Sequence, residues 1–455
     1  MTEVDLELLL KLNKPIPRYT SYPTAPEWGE LSDKIYEEKL KKLDEKPISL
    51  YFHIPFCKTM CLYCACSVVL NRKPENEERY VEYLLREIDL VREKIGKRIK
   101  VSQVHFGGGT PTKLTAKQFD RIFAKITQAF EIEEMAEVAI EIDPRTVCED
   151  EAQKLAHLRA LGFNRVSFGV QDINKDVQEA VKRRQSYEVT RDTFFHAKTL
   201  GFSSINIDLI YGLPFQTLQT FQETISKIVD LSPDRVALFS YAKVPWLKPH
   251  QKAIKDETLP TTEEKFRIYL FARGALKEAG YQAIGMDHFA KKNDELAVAF
   301  HKKTLQRNFQ GYTVFDVEDL VSFGITSIGY VQGSYFQNIK ELEDYYKLLD
   351  ENKLPANRGK ILSSEDHIRR FVIQRLMCRF ELEKEEFCQK FMRNFDQHFE
   401  QELHALKPLI ADGLVEDSEK RLQVTSQGEL FIRNIASHFD LYLKKGENSK
   451  FSQSV

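Results

Sequence analysis

INIDLIYGLPFQTLQTFQETISKIVDLSPDRVALFSYA (205–242) reads as strand, helix, strand. In INIDLIYG (205–212), Ile205, Ile207 and Leu209 take one face while Asn206 and Asp208 take the other, the two-residue period of a strand. TLQTFQETISKIVDL (217–231) is a helical pattern, and RVALFSYA (235–242) is again strand-like. A long helical connection joins parallel strands, so this stretch predicts a βαβ unit.

Outward from it the pattern repeats. ISLYFHI (48–54), VSQVHFG (101–107), EVAIEID (137–143) and RVSFGVQ (165–171) are strand-like, with helical stretches such as ENEERYVEYLLREIDLVREKI between them. Six such units predict an α/β fold, an incomplete (β/α)6-type barrel rather than a full eight-fold one. Parallel strands buried on both faces read as continuous apolar runs. These alternate instead. Val138, Ile140 and Ile142 oppose Glu137, Ala139 and Glu141; Leu50, Phe52 and Ile54 oppose Tyr51 and His53. Val104 and Phe106 oppose Gln103 and His105, and RVSFGVQ carries Ser167 and Gln171 on its polar face. If the apolar faces meet helices, the polar faces line a lumen that needs a ligand.

The chain has 455 residues, which predicts two or three folded units. Residues 1–47 read as a polar N-terminal arm, 48–360 as the barrel and its extension, and 361–455 as a mostly helical C-terminal domain. There EDHIRRFVIQRLM, KEEFCQKFM and QHFEQELHALKPLI lead to ADGLVEDSEKRLQVTSQG (411–428), a hairpin pattern. Helices followed by a hairpin are winged-helix-like, and the tail KKGENSKFSQSV reads as loose. Net charge is -2, which gives no global pull toward nucleic acid or an anionic membrane. No apolar run reaches the roughly 18 residues of a membrane span. The opening MTEVDLELLLKLNK places acids ahead of a short Leu run, so no signal peptide is expected. A cytoplasmic protein follows as the expectation.

Four of the seven cysteines crowd into HIPFCKTMCLYCAC (53–66): Cys57, Cys61, Cys64 and Cys66. A disulfide framework would spread them out, so the cluster reads as metal binding. Cys148, Cys378 and Cys388 are scattered and read as packing residues. Cys-x3-Cys-x2-Cys after a strand offers three thiolates, which leave one iron of a [4Fe–4S] cluster open to chelation by S-adenosylmethionine. A four-cysteine zinc knuckle that includes Cys66 stays open on spacing alone. The glycines of FGGGTPT (106–112) follow the next strand, where a barrel builds its active site.

Together these blocks resemble the radical S-adenosylmethionine superfamily. Within it, PRYTSYPTA (17–25), Cys66, VQDINKDVQ (170–178), NIDLIYGLP (206–214), GMDHFA (285–290) and RNFQGYT (307–313) resemble the oxygen-independent coproporphyrinogen III oxidase (coproporphyrinogen dehydrogenase) family. The resemblance runs nearly end to end. It implies oxidative decarboxylation of two propionates of coproporphyrinogen III to vinyls by a 5′-deoxyadenosyl radical, as in porphyrin and haem biosynthesis. It implies that Cys57, Cys61 and Cys64 hold the cluster and that Cys66 has a catalytic role. A first S-adenosylmethionine would touch Tyr51, Tyr63, Gly108, Glu141 and Ile328. A second would touch Gly109, Thr110, Gln171, Arg183, Asp208 and Ala242, with Gln310 nearby. Arg18, Lys243 and Arg307 are candidates to pair with substrate carboxylates. A reducing donor such as flavodoxin or ferredoxin and a monomeric state are also implied, with neither nucleic acid nor membrane as partner.

Two local departures stand out. The loop ends Cys64-Ala65-Cys66-Ser67 where the family commonly has Asn last, and Lys243 replaces a frequent His after Tyr241-Ala242. The nearest rival is a haem-binding trafficking protein of the same superfamily, against which stand Cys66 and the PRYTSYPTA arm. A nucleic-acid-binding protein with a zinc knuckle and winged helix is disfavoured by the near-zero net charge.

Overall fold

The computed structural model describes residues 6–148, 153–443 and 451–454. Six strands run in sequence order and pair in parallel: β1 (Ile48–Ile54), β2 (Lys100–Gly108), β3 (Glu131–Ile142), β4 (Arg165–Gln171), β5 (Ser204–Tyr211) and β6 (Arg235–Ser240). The connections are helical: α1 (Pro74–Ile95), α2 (Ala116–Ala129), α3 (Gln153–Ala160), α4 (Lys175–Ala180), α5 (Tyr187–Thr199) and α6 (Leu218–Leu231). Local sequence sets their ends. Thr115 and Gln118 form a reciprocal capping box at the start of α2, Thr217 and Thr220 do the same for α6, and α1 stops at left-handed Gly96.

The alternating strands orient as their period predicts. Val138, Ile140, Ile142, Leu50, Phe52, Val104 and Phe106 are buried against the helices. Phe106 stacks on Phe52 and meets Phe119 and Phe123 of α2, while Phe323 stacks on the other side of Phe52. Glu141, Ser167, Asn206 and Asp208 face the enclosed side.

The sheet continues past both ends of the six. Leu320–Phe323 pairs in parallel with β1, followed by Ile328–Tyr330, Ser334–Asn338, Ala356–Ile361 and the edge pair Gly29–Glu30. Beyond β6 come His288–Lys291 and then Tyr281–Ile284, both antiparallel. These thirteen strands form one open sheet, so the barrel does not close on itself. The sequence reading did not anticipate the flanking strands, which are only two to six residues long.

In the C-terminal region, helix Ser364–Arg379 leads to a three-stranded sheet (Glu381–Glu383, Arg421–Val424, Val415–Asp417) with helices Lys384–Phe391 and Glu400–Ala411 between its strands. This is the expected helices-then-hairpin arrangement. Three expectations need correction. The arm is not merely polar: Leu9, Leu12, Ile16, Tyr19 and Tyr22 are buried in the core. Part of the tail is fixed, since Ser452 and Ser454 bond the backbone of Ile16 and Lys14, and buried Arg433 donates to Pro17 O and Gln453 O. Residues 444–450 and 455 of the tail lie outside the described residues. Cys378 is buried as a packing residue should be, but Cys388 is exposed.

Candidate active site

Beyond the C-terminal end of β1 the chain carries the four clustered cysteines. Two backbone bonds lash this segment to the glycine run after β2: Gly109 N donates to Ile54 O (2.8 Å) and Thr110 N to Phe56 O (3.0 Å). The approach leaves no room for side chains. A Cβ on Gly109 would stand 2.6 Å from Pro55 O, and one on Gly108, at φ +118°, would stand 2.7 Å from the His53 ring. Thr110 Oγ1 reaches Cys57 Sγ at 3.4 Å, and Arg183 Nη1 reaches Cys61 Sγ at 3.7 Å. Burial pushes the Cys57 thiol up to about 11. A hydrogen bond from Cys66 is the chief cause holding the Cys64 thiol below its ordinary value.

This donor set suits an iron–sulfur cluster, which takes its protein ligands as thiolates. Among the described residues no three His, Cys, Asp or Glu side chains converge on the position of a single metal ion. In a cluster, separate irons would each take one of the thiolates of Cys57, Cys61 and Cys64.

A segment that the sequence reading passed over holds the cysteine loop from the other side. Lys248 Nζ donates to Cys66 O (2.7 Å), His250 Nε2 lies 2.8 Å from Cys64 O, and Gln251 Nε2 donates to Tyr63 O (2.8 Å). Gln251 is wholly buried; it also donates to Ala242 O at 3.3 Å and accepts from Val244 N at 2.6 Å. Nothing in KPHQ marks this role, because its contacts lie about 185 residues away in the chain.

Beneath the loops lies a cavity of about 220 Å³, lined among others by His105, Glu141, Asp208, Phe239, His288 and Gln310. Burial raises Glu141, but the bond and charge of His105 and the Gly108 amide outweigh it and leave the carboxyl below its usual range. Asp208 accepts from Ser167 Oγ (3.0 Å) and Asn206 Nδ2 (2.7 Å). Burial, with the Glu141 charge, pushes it up to about 6. Gln171 ends β4 in the left-handed region at φ 70°, and its Oε1 is buried without a partner. Gln310 Nε2 and Arg183 Nε are buried and unpartnered too. Buried polar atoms are seldom left unpaired, and strained polar residues gather at ligand sites.

The remaining expected residues fall in several places. Tyr51 hydroxyl lies 3.1 Å from His53 Nδ1, with its ring stacked on His105. Arg183 is buried, bonded to Asp143 (3.2 Å) and to the carbonyl of Gly169, so it is no solvated helical charge. Ala242 joins the cysteine loop through Gln251. Ile328 belongs to a small core with Trp28, Tyr330, Tyr335 and Leu362, on which Phe309 leans. Arg18 and Arg307 meet at the open side of the barrel. Lys243 turns instead to Asp256 (2.5 Å) and Ile254 O (2.8 Å).

Comparison with known proteins agrees with this architecture. The Radical SAM superfamily matches residues 51–228 and the HemN C-terminal domain matches residues 362–431. Oxygen-independent coproporphyrinogen III oxidase of Synechocystis sp. is 44% identical over 461 residues, covering 100% of this chain and 98% of that one. The chain belongs to the oxygen-independent coproporphyrinogen III oxidase family. The Salmonella typhimurium member is 44% identical over 99% of this chain and 98% of its own length. The coproporphyrinogen III oxidase (HemN) structure from Escherichia coli, described as a radical SAM enzyme, superposes with TM-score 0.91 at 42% identity, covering 97% of this chain and 99% of that one. Family membership makes the protein a radical SAM oxidoreductase of the α/β radical SAM fold. Among the described residues no helix is long and apolar enough to cross a membrane.

Proposed function

We propose that this chain oxidatively decarboxylates two propionates of coproporphyrinogen III to vinyl groups, giving protoporphyrinogen IX without oxygen. The observation that carries the reading is the placing of Glu141 and Asp208 in one polar cavity beneath a three-cysteine loop. Cys57, Cys61 and Cys64 would hold a [4Fe–4S] cluster, and Cys66 would serve turnover. When bound, the cluster and S-adenosylmethionine would supply hydrogen-atom abstraction at a propionate β-carbon, and an external one-electron acceptor would complete the oxidation as carbon dioxide leaves. The chain's own part is to bind, orient and exclude water.

Two S-adenosylmethionine molecules are the finer reading. Tyr51, Tyr63, Gly108, Glu141 and Ile328 would serve the first; Gly109, Thr110, Gln171, Arg183, Asp208 and Ala242, with Gln310, the second. Ionised Glu141 suits ribose hydroxyls, and the unpartnered atoms of Gln171, Gln310 and Arg183 are what a polar ligand would satisfy. Residues 1–47, 48–360 and 361–455 are the units we assign. A flavodoxin- or ferredoxin-type donor, a monomeric state and a cytoplasmic location complete the proposal.

The test is an anaerobic assay of reconstituted protein with coproporphyrinogen III, S-adenosylmethionine and a reductant. Protoporphyrin should form only with all three present. Haem uptake without decarboxylation would overturn the reading in favour of a trafficking protein.

A further inference from the structure

The open side of the barrel is closed by segments far apart in sequence. Asp208 of β5 pairs in register with Ala237 of β6, and Ala237 with His288 of the next strand. His288 is thus level with Asp208 and about 10 Å away across two strand spacings. Its Nδ1 lies 2.7 Å from Asp287 Oδ1, and Asp287 Oδ2 takes Arg18 Nη2 at 3.4 Å. Asp287 is buried, and His288, Arg18 and Arg307 keep its carboxyl well below the usual range. The imidazole is fixed edge-on between Phe239 (5.8 Å) and Tyr312 (5.3 Å), and His288 lines the cavity.

The cations are held there by the fold. Arg18 lies over the Phe239 ring at 5.7 Å and Arg307 over Tyr312 at 5.0 Å. Arg307 also donates to Arg18 O (2.9 Å) and Tyr19 O (3.2 Å), which locks the arm to this corner. Its buried Nε has no partner. Two guanidinium groups and an imidazole therefore surround Asp287, while Asp208 and Glu141 line the same cavity. Asp287 fixes Nδ1 as the donor nitrogen, which leaves Nε2 toward the cavity. A polar ligand in the cavity would meet Nε2, the ring's other polar atom.

We propose that His288, oriented by Asp287 and flanked by Arg18 and Arg307, binds a carboxylate of the tetrapyrrole, a propionate other than the one reacting. This deepens the proposed function and rests on it. A propionate that the reaction leaves intact can serve as the anchor, since the anchored side chain is not consumed.

Anaerobically reconstituted His288→Ala, His288→Gln and Arg18→Gln would be titrated with coproporphyrin III, the fluorescent tetracarboxylate. Iron content and S-adenosylmethionine equivalents would be measured alongside. His288→Ala should weaken coproporphyrin binding at least tenfold with iron and S-adenosylmethionine binding unchanged, and His288→Gln should recover part of the loss. In turnover, the singly decarboxylated three-propionate intermediate should accumulate. Binding within twofold of native, with no added intermediate, would overturn the subsite. If His288→Ala does not fold, Arg18→Gln decides, and native affinity there overturns it equally. A native chain that bound no coproporphyrin would overturn the proposed reaction and the subsite together, whereas native binding with indifferent variants overturns the subsite alone.

Discussion

The side-chain amide of Gln251 donates to the carbonyl oxygen of Tyr63 at 2.8 Å, tying the cysteine loop to the segment after β6. The same side chain reaches Ala242 and Val244, and it is wholly buried. Gln251→Leu should therefore orphan buried backbone groups, at about 1–3 kcal/mol for each. The expected result is a lower denaturation midpoint and faster loss of iron from the reconstituted protein. A midpoint and iron half-life equal to native would show that the loop holds itself.

The three-plus-one cysteine arrangement predicts a split among serine variants. Cys57→Ser, Cys61→Ser and Cys64→Ser should lose the cluster's visible absorbance and all activity. Cys66→Ser should keep its iron while turning over poorly. Iron and sulfide analysis decides, and equal iron loss in Cys66→Ser and Cys61→Ser would refute the three-ligand assignment.

Equilibrium binding checks the second S-adenosylmethionine. The native chain should take two equivalents under anaerobic conditions, and Asp208→Ala close to one. Loss of a charge-assisted hydrogen bond costs about 1.5–3 kcal/mol, or roughly ten- to hundredfold in affinity. Two tight equivalents in the variant, with protoporphyrin formed at the native rate, would remove Asp208 from that site.

Asp208 also predicts a pH dependence of stability in the ligand-free chain. Its carboxyl is raised from 3.8 to about 6, so the folded state holds the proton more tightly than the unfolded one. Its stabilising contribution is complete below pH 3.8 and is lost as pH rises through 6. Asp208→Asn should gain on the native chain across that window, by on the order of 3 kcal/mol, and hold level above it. Urea denaturation at pH 4.5 and 7 measures this. A constant difference between the two would contradict the raised carboxyl.

Lys243 was a candidate for substrate contact in the sequence, yet its ammonium is held by Asp256 and Ile254 O. Asp256 is largely exposed, so the pair contributes at most about 1 kcal/mol. Lys243→Ala should accordingly leave coproporphyrin affinity unchanged within twofold in the same fluorescence titration. A tenfold loss would return the residue to the substrate site.

The sequence by itself determined the barrel, its polar lumen and the cysteine loop, because each is encoded locally. A two-residue period assigns Glu141 and Asp208 to the inner face, where both line the cavity, and Cys-x3-Cys-x2-Cys lies within eight residues. Only tertiary structure decided what flanks and covers the open barrel. The pairing of His288–Lys291 with β6, the burial of the arm under Arg433, and the grip of Gln251 on Tyr63 all join residues remote in sequence. A hydrogen bond between residues 188 positions apart leaves no periodic mark, since neither partner's neighbours need change to make it. Arg183 shows the same limit: the resemblance singled it out, but only the tertiary structure shows its guanidinium buried beside Cys61.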